Sequence, residues 1–83
     1  MDPGQTDYRK VRVGETVLRH LEANPGAGDT LTGILISWLR ERRIETTAEE
    51  LAEVLADFVD AQLLKEVLLP DGNTLYVRGQ AVP

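Results

Sequence analysis

Apolar residues recur at helical spacing in three segments of the chain, and each segment predicts an amphipathic helix. The first helix is expected over about residues 13–24, because Pro25 and the two glycines that follow it favour a turn. The second is expected to begin at a cap residue, Asp29 or Thr30, and to run to about Arg42. The apolar stripes are Val13, Val17, Leu18 and Leu21 in the first helix, and Leu31, Ile34, Leu35, Trp38 and Leu39 in the second.

The third segment separates its apolar and acidic residues most completely. It is expected to begin at Thr46 or Thr47, since Thr46/Glu49 and Thr47/Glu50 both have the spacing of a capping box. The side expected to face the core consists of Ala48, Leu51, Val54, Leu55, Phe58, Val59 and Ala61. The opposite side consists of Glu49, Glu53, Asp57 and Asp60. We therefore expect a third helix with one buried apolar side and one acidic side exposed to solvent.

After the third helix, residues 63–69 and 74–78 predict two β-strands joined by a Pro-Asp-Gly-Asn turn. At the other end of the chain, residues 1–7 are polar and include Pro and Gly, and we expect a flexible arm there. Residues 8–13 alternate weakly and predict either a short strand or the lead into the first helix. Residues 80–83 are expected to form a C-terminal tail.

The chain has 83 residues, which is enough for one domain, expected over residues 8–79. It contains no cysteine, so disulfides and thiolate metal sites are excluded. The longest apolar runs are much shorter than the ~18 residues of a membrane span, and the first residues do not resemble a signal peptide. The expected location is therefore cytoplasmic, with no membrane partner.

The charge of the chain is concentrated in one place. The formal net charge is −5, while residues 45–60 hold six acids and no base, so the rest of the chain sums to +1. A negative net charge removes the long-range attraction to phosphates that most nucleic-acid-binding proteins use.

The order of helix, helix, short turn, helix and hairpin over residues 13–78 resembles the winged helix-turn-helix domain. Residues 47–66, TAEELAEVLADFVDAQLLKE, look like a recognition helix that runs into the first strand of the wing. The layout is similar to that of the MarR-like regulators and of the N-terminal domains of ferric-uptake-type regulators. This resemblance implies an α+β, mainly α, fold with three helices followed by a two-stranded wing, with or without a short third strand from the N-terminal segment.

The residues on the third helix depart from what this resemblance implies. In DNA-binding members the outer face of that helix donates hydrogen bonds to phosphates and base edges. Here the matching positions are Glu49, Ala52, Glu53, Ala56, Asp57 and Asp60. Several carboxylates in a groove lined by phosphates repel strongly, and the wing offers only Lys65 and Arg78 as cations. The charge pattern therefore argues against insertion of this helix into the major groove.

The acidic side of the third helix is the first candidate site. Glu49 and Glu50 are explained by capping and by the helix dipole. Glu53, Asp57 and Asp60 lie beyond the first turn, and like charges four residues apart cost a few tenths of a kcal/mol per pair. These three residues either form a solvated side of the helix or bind a protein partner. Ile36, which lies off the apolar stripe of the second helix, is likewise either a contact residue or a lone exposed apolar side chain.

The basic residues form the second candidate site, which consists of Arg40, Arg42 and Arg43, joined by Arg9, Lys10 and Arg12. Two functions fit these residues: contacts to phosphates, or contacts to the acidic side of a second copy. A purely structural explanation is stabilisation of a helix C-terminus, together with intramolecular pairing to Glu41 and Glu45.

No catalytic arrangement is recognisable. Trp38 is expected in the core, whereas Tyr8 and Tyr76 are candidates for exposed contacts. His20, the only histidine, is expected on the polar side of the first helix, where a lone exposed imidazole is neither catalyst nor ligand. Without a nucleophile–base pair or metal-ligand spacing, we expect no enzyme, no cofactor, no metal and no small-molecule substrate.

Two functions remain after these arguments. The first is a non-catalytic winged-helix protein-interaction module, alone or as a homodimer, that uses Glu53, Asp57, Asp60 and Ile36. The alternative is a small winged-helix transcriptional regulator that contacts duplex DNA through basic side chains in place of the third helix. These basic side chains are Arg9, Lys10, Arg12, Arg40, Arg42, Arg43, Lys65 and Arg78.

Overall fold

The structure, a computed structural model, describes residues 3–80, with side chains from residue 8 onward. The fold is α+β and mainly helical, with three helices and a three-stranded antiparallel sheet of strand order β1-β3-β2. The elements are α1 (Pro3–Ala23), β1 (Gly28–Asp29), α2 (α-helical Leu31–Gly33 continued by π-helical Ile34–Leu39), α3 (Ala48–Asp60), β2 (Leu64–Leu68) and β3 (Thr74–Arg78). Within the described residues, no helix has both the length and the apolarity needed to cross a bilayer.

The first helix begins at Pro3, well before the expected start at residue 13. Proline suits the first helical position, because the missing N–H has no partner there in any case. Residues 3–7 of the predicted arm therefore have helical backbone, and residues 8–13 form helix instead of a strand. Residues 1–2 and residues 81–83 of the predicted tail lie outside the described part of the chain.

The third strand of the sheet is β1, which follows α1 and does not come from the N-terminal segment. Gly28 pairs with Val77, and Asp29 pairs with Tyr76. This pairing places the start of α2 beside the hairpin, because Thr30 caps α2 by accepting a hydrogen bond from the backbone N–H of Gly33 at 3.2 Å. Of the two predicted caps, Thr30 is the one used.

The core consists of the predicted stripes of the three helices and the first residue of β2. Its buried members are Val13, Val17, Leu21, Ile34, Trp38, Leu39, Leu51, Val54, Leu55 and Leu64. The prediction that Trp38 is a core residue is therefore confirmed, and Ile36 is 52% exposed, as its position off the stripe predicts. The wide π-helical turn of α2 brings Ile34 and Leu39, five residues apart, into the same core.

The third helix is confirmed, and two of its predicted core residues are corrected. Of the two predicted caps, Thr47 is the one used, and it accepts a hydrogen bond from the backbone N–H of Glu50 at 3.1 Å. Phe58 is half-buried, whereas Ala48 and Ala61 are exposed. These two alanines stand at the two ends of α3, where the elements packed against its middle do not cover them.

Both α2 and α3 end in the same backbone motif, in which a residue other than glycine adopts the left-handed conformation. Arg43 has φ 56° and Gln62 has φ 63°. At the end of α2, the backbone N–H of Arg43 donates to the carbonyl of Arg40, and that of Ile44 donates to the carbonyl of Leu39. At the end of α3, the backbone N–H of Gln62 donates to the carbonyl of Val59, and that of Leu63 donates to the carbonyl of Phe58. These are the two hydrogen bonds of the Schellman motif, whose left-handed residue is most often glycine.

The hairpin after α3 forms as predicted. Leu64–Leu68 pairs with Thr74–Arg78, and the turn between them contains Gly72 with φ 90°. Asp71 Oδ1 accepts from the backbone N–H of Asn73 at 2.9 Å, which orders the turn. Tyr76 is half-buried against the core, so the prediction of an exposed contact at this residue is wrong.

Candidate functional site

The outer side of α3 is exposed along its whole length. Its members are Glu49, Ala52, Glu53, Ala56, Asp57 and Asp60, and we call this set the acidic face. All six side chains point away from the buried residues Leu51, Val54 and Leu55, as the helical pattern predicts. Small alanines between the carboxylates leave the surface of the helix accessible to another chain.

Two ion pairs connect α3 to α1. Arg9 Nη2 lies 3.1 Å from Glu50 Oε2, and the Glu50 side chain is only 13% exposed. Lys10 also pairs with Glu53, whose side chain remains 61% exposed. The sequence assigned Glu53 to a protein partner and Arg9 and Lys10 to DNA, yet in the structure Lys10 pairs with Glu53 and Arg9 pairs with Glu50. Their charges are therefore partly offset within the chain.

The other carboxylates of the acidic face have no such compensation. In residues 8–80, no cation forms an ion pair with Glu49, Asp57 or Asp60. Asp60 is the last residue of α3, and no basic residue lies in that last turn. A carboxylate near a helix C-terminus interacts unfavourably with the dipole, by about 0.3–1 kcal/mol. This cost makes Asp60 a residue that helix stability does not explain.

An apolar groove of about 370 Å³ borders the acidic face, between α1 and α3. We call it the α1–α3 groove; its apolar members are Val11, Gly14, Leu18, Val54 and Phe58, and its rim includes Lys10, Glu15 and Asp57. Val11 is 56% exposed. A side chain at Gly14 would place its Cβ 2.8 Å from Phe58 Cζ, so this glycine makes room for the Phe58 ring.

The basic residues from two distant parts of the sequence meet near the start of α3. Two surface depressions share Arg43, Ile44 and Glu45; one is completed by residues of α1 and the other by residues of α2. We call their exposed basic and apolar members the arginine surface: Tyr8, Arg12, Ile36, Arg40 and Arg43. Arg42 is exposed but lines neither depression.

The arginines of this surface are not neutralised by the described part of the chain. Arg12, Arg40 and Arg43 form no ion pair there, and neither Glu41 nor Glu45 pairs with an arginine. The expected intramolecular pairing to these two glutamates is therefore absent from residues 8–80. Arg43 also occupies the left-handed position of the α2 Schellman motif, where a glycine is preferred.

The remaining basic candidates, Lys65 and Arg78, lie elsewhere. Both line a depression with Val59 and Gln62, near the end of α3, whereas the arginine surface adjoins its beginning. The structure therefore does not bring all of the predicted DNA-binding residues together into one surface.

His20 is stacked on Trp38, with ring centroids 4.1 Å apart and an angle of 23° between the planes. Its expected position on a polar, exposed side is wrong, because α2 packs against that part of α1. No pattern in the sequence indicates this contact, since the two rings belong to different helices and the periodicity of one helix does not show which residues cover it.

Two ionisable groups in the hairpin have shifted pKa values, and both have local causes. Burial, followed by the nearby Glu66 carboxylate, raises the pKa of Tyr76 above 10.0. The backbone N–H and then the side chain of Asn73 lower the pKa of the exposed Asp71 carboxyl. No group of three potential metal ligands occurs among the described residues. Both shifts follow from the local geometry of the hairpin.

No protein-family model, no curated protein and no solved structure matches this chain. The geometry and the charge of its own residues therefore carry the functional argument.

Proposed function

We propose that this protein is a non-catalytic protein-interaction module of the winged-helix type, which binds a basic segment of a protein partner on the acidic face of α3. Three helices followed by a hairpin, with β1 completing a small sheet, support the winged-helix assignment. In that layout α3 is the helix used for recognition.

The observation that carries this proposal is the chemistry of the exposed side of α3. Carboxylates and alanines cover it, and no cation belongs to it. Such a surface repels phosphates and attracts lysine and arginine. Asp60 adds its charge to this surface at a position where the helix dipole does not favour a carboxylate.

The α1–α3 groove favours a protein over any other cationic ligand. Its apolar residues, including Val11, Leu18 and Phe58, lie directly beside Asp57 of the acidic face. An amphipathic segment that carries both cations and apolar side chains matches the two features together. The groove receives the apolar side chains, while the carboxylates bind the cations.

A titration tests this function. A fluorescently labelled amphipathic helix of leucine and lysine is titrated with the wild-type protein and with the variant Asp57→Arg/Asp60→Arg. We expect at least tenfold weaker binding by the variant, equivalent to about 1.4 kcal/mol. Both changes place cations near the C-terminus of α3, where the dipole favours them, so folding is retained.

The matched control is Glu22→Arg/Glu41→Arg, which changes the net charge equally at exposed positions near the ends of α1 and α2. Equal weakening by the control and the test variant would show that only total charge matters and would contradict the proposal. Unchanged binding by the test variant would contradict it as well.

The second candidate function is binding of duplex DNA through the arginine surface. The convergence of Arg12, Arg40 and Arg43, none of them paired within the described residues, favours it. It predicts duplex binding that weakens steeply with salt and is lost in Arg12→Ala/Arg40→Ala. Salt-independent or unaltered binding by that variant would remove the arginines from this function.

A further inference from the structure

We infer that the acidic face binds the arginine surface of a second copy of this chain, so that the protein forms a two-fold symmetric dimer. This inference rests on the proposed function and names the partner. It follows from three relationships between the two surfaces.

The charges of the two surfaces are complementary. The acidic face offers Glu49, Asp57 and Asp60, and the arginine surface offers Arg12 and Arg43 together with Arg40. Neither group forms an ion pair inside the described chain, although Arg9–Glu50 and Lys10–Glu53 show that bases of α1 and acids of α3 do pair. Contact with a second copy extends the same pairing to the residues that remain.

The apolar parts of the two surfaces are also complementary. Tyr8 is 64% exposed and Ile36 is 52% exposed within the arginine surface. The α1–α3 groove beside the acidic face is apolar and is bordered by Asp57. A second copy therefore supplies cations and exposed apolar side chains together, which is the combination that the acidic face and the groove accept.

The positions of the surfaces permit a closed dimer. Tyr8 and Arg12 of the arginine surface and Val11 and Leu18 of the groove are residues of the same helix, α1. In a two-fold dimer each copy presents both surfaces, and the same contact occurs twice. Because the surfaces are neighbours, a two-fold axis that passes between them brings both contacts into one interface, which is the closed arrangement we infer.

Sedimentation velocity over a dilution series tests the inference. We expect the wild-type protein to sediment at twice the monomer mass of 9.2 kDa at the higher concentrations, with dissociation on dilution and on addition of salt. Arg12→Glu/Arg40→Glu and, separately, Asp57→Arg/Asp60→Arg are expected to weaken association at least tenfold.

An equimolar mixture of these two variants is the decisive sample. In a dimer of either variant alone, the two surfaces in contact carry the same charge and repel each other. In a dimer that contains one copy of each variant, both contacts join surfaces of opposite charge, so we expect the mixture to dimerise as the wild type does. Restoration also shows that both variants are folded. The control Arg19→Glu/Lys65→Glu has the same charge change at exposed residues outside the arginine surface and is expected to dimerise normally.

The contrary results are distinct. A wild-type monomer at every concentration overturns the inference, and if that monomer still binds the leucine–lysine helix through Asp57 and Asp60, the proposed function stands without it. A dimer that neither variant weakens, or a mixture that stays monomeric, also overturns the inference. Duplex binding that requires Arg12 and Arg40, without self-association, would assign the arginine surface to DNA instead.

Discussion

Arg9 and Glu50 form an ion pair at 3.1 Å between two helices, although the two residues are 41 positions apart in the sequence. Glu50 also accepts a hydrogen bond from Thr46 Oγ1 at 3.4 Å. One carboxylate therefore ties the N-terminal part of α1 to the segment that starts α3. This contact fixes the position of the acidic face relative to α1.

The coupling between these two residues is measurable. We expect a double-mutant cycle of Arg9→Ala and Glu50→Ala to give an interaction free energy of about 0.5–1 kcal/mol, because the pair is partly exposed. Urea unfolding of the four proteins measures it. A coupling indistinguishable from zero would show that the pair does not hold α1 against α3.

The left-handed residues at the ends of α2 and α3 give a second prediction. Arg43→Gly and Gln62→Gly should each raise the free energy of unfolding by about 0.5–1 kcal/mol, since glycine adopts positive φ without steric cost. Only Arg43→Gly should also weaken self-association, so Gln62→Gly is its matched control. Equal effects of both changes on association would argue against a role for Arg43 in it.

Phe58 provides a test of the packing between α1 and α3. Because Phe58 is half-buried over Gly14, we expect Phe58→Ala to cost about 2 kcal/mol, less than the ~3–5 kcal/mol of a fully buried phenylalanine. Leu55→Ala, at a residue with 0% exposure, should cost more. A larger loss at Phe58 than at Leu55 would mean that the ring lies deeper than the structure places it.

Tyr76 predicts a loss of stability in alkaline solution. Its pKa in the folded protein is raised above the usual 10.0, by burial and then by Glu66, so folding favours the neutral phenol. The stability that this shift contributes is complete below pH 10.0 and is lost as the pH rises through the folded-state pKa.

Absorbance titration of tyrosinate in a Tyr8→Phe background, where Tyr76 is the only tyrosine, measures this shift. Glu66→Gln should lower the pKa of Tyr76 towards its usual value without abolishing the shift, since burial is the larger cause. A pKa of Tyr76 below 10.0 would contradict the half-buried position of the ring.

Local pattern was sufficient to predict much of the fold. The spacing of the apolar residues correctly predicted the buried sides of α2 and α3, and the Pro-Asp-Gly-Asn turn correctly predicted the hairpin. The start of α1 was missed because residues 8–12 supply no apolar stripe that faces the core: their two apolar side chains, Tyr8 and Val11, are both exposed. β1 has only two residues and is defined by its partner strand, Thr74–Arg78.

The site was predictable only one helix at a time. Exposure of Glu53, Asp57 and Asp60 follows from the period of α3, and it is confirmed. Pairing of Glu53 with Lys10, and the meeting of Arg12 with Arg43, depend on how the helices pack, and no pattern within one segment contains that information.

The most direct test of the central claim compares two labelled probes under one buffer, the amphipathic leucine–lysine helix and a mixed-sequence DNA duplex. Fluorescence anisotropy with wild-type protein and with Asp57→Arg/Asp60→Arg gives both affinities. We expect the wild type to bind the peptide more tightly than the duplex, and the variant to lose at least tenfold in peptide affinity. Tighter binding of the duplex by the wild type, with peptide affinity unchanged in the variant, would contradict docking on the acidic face.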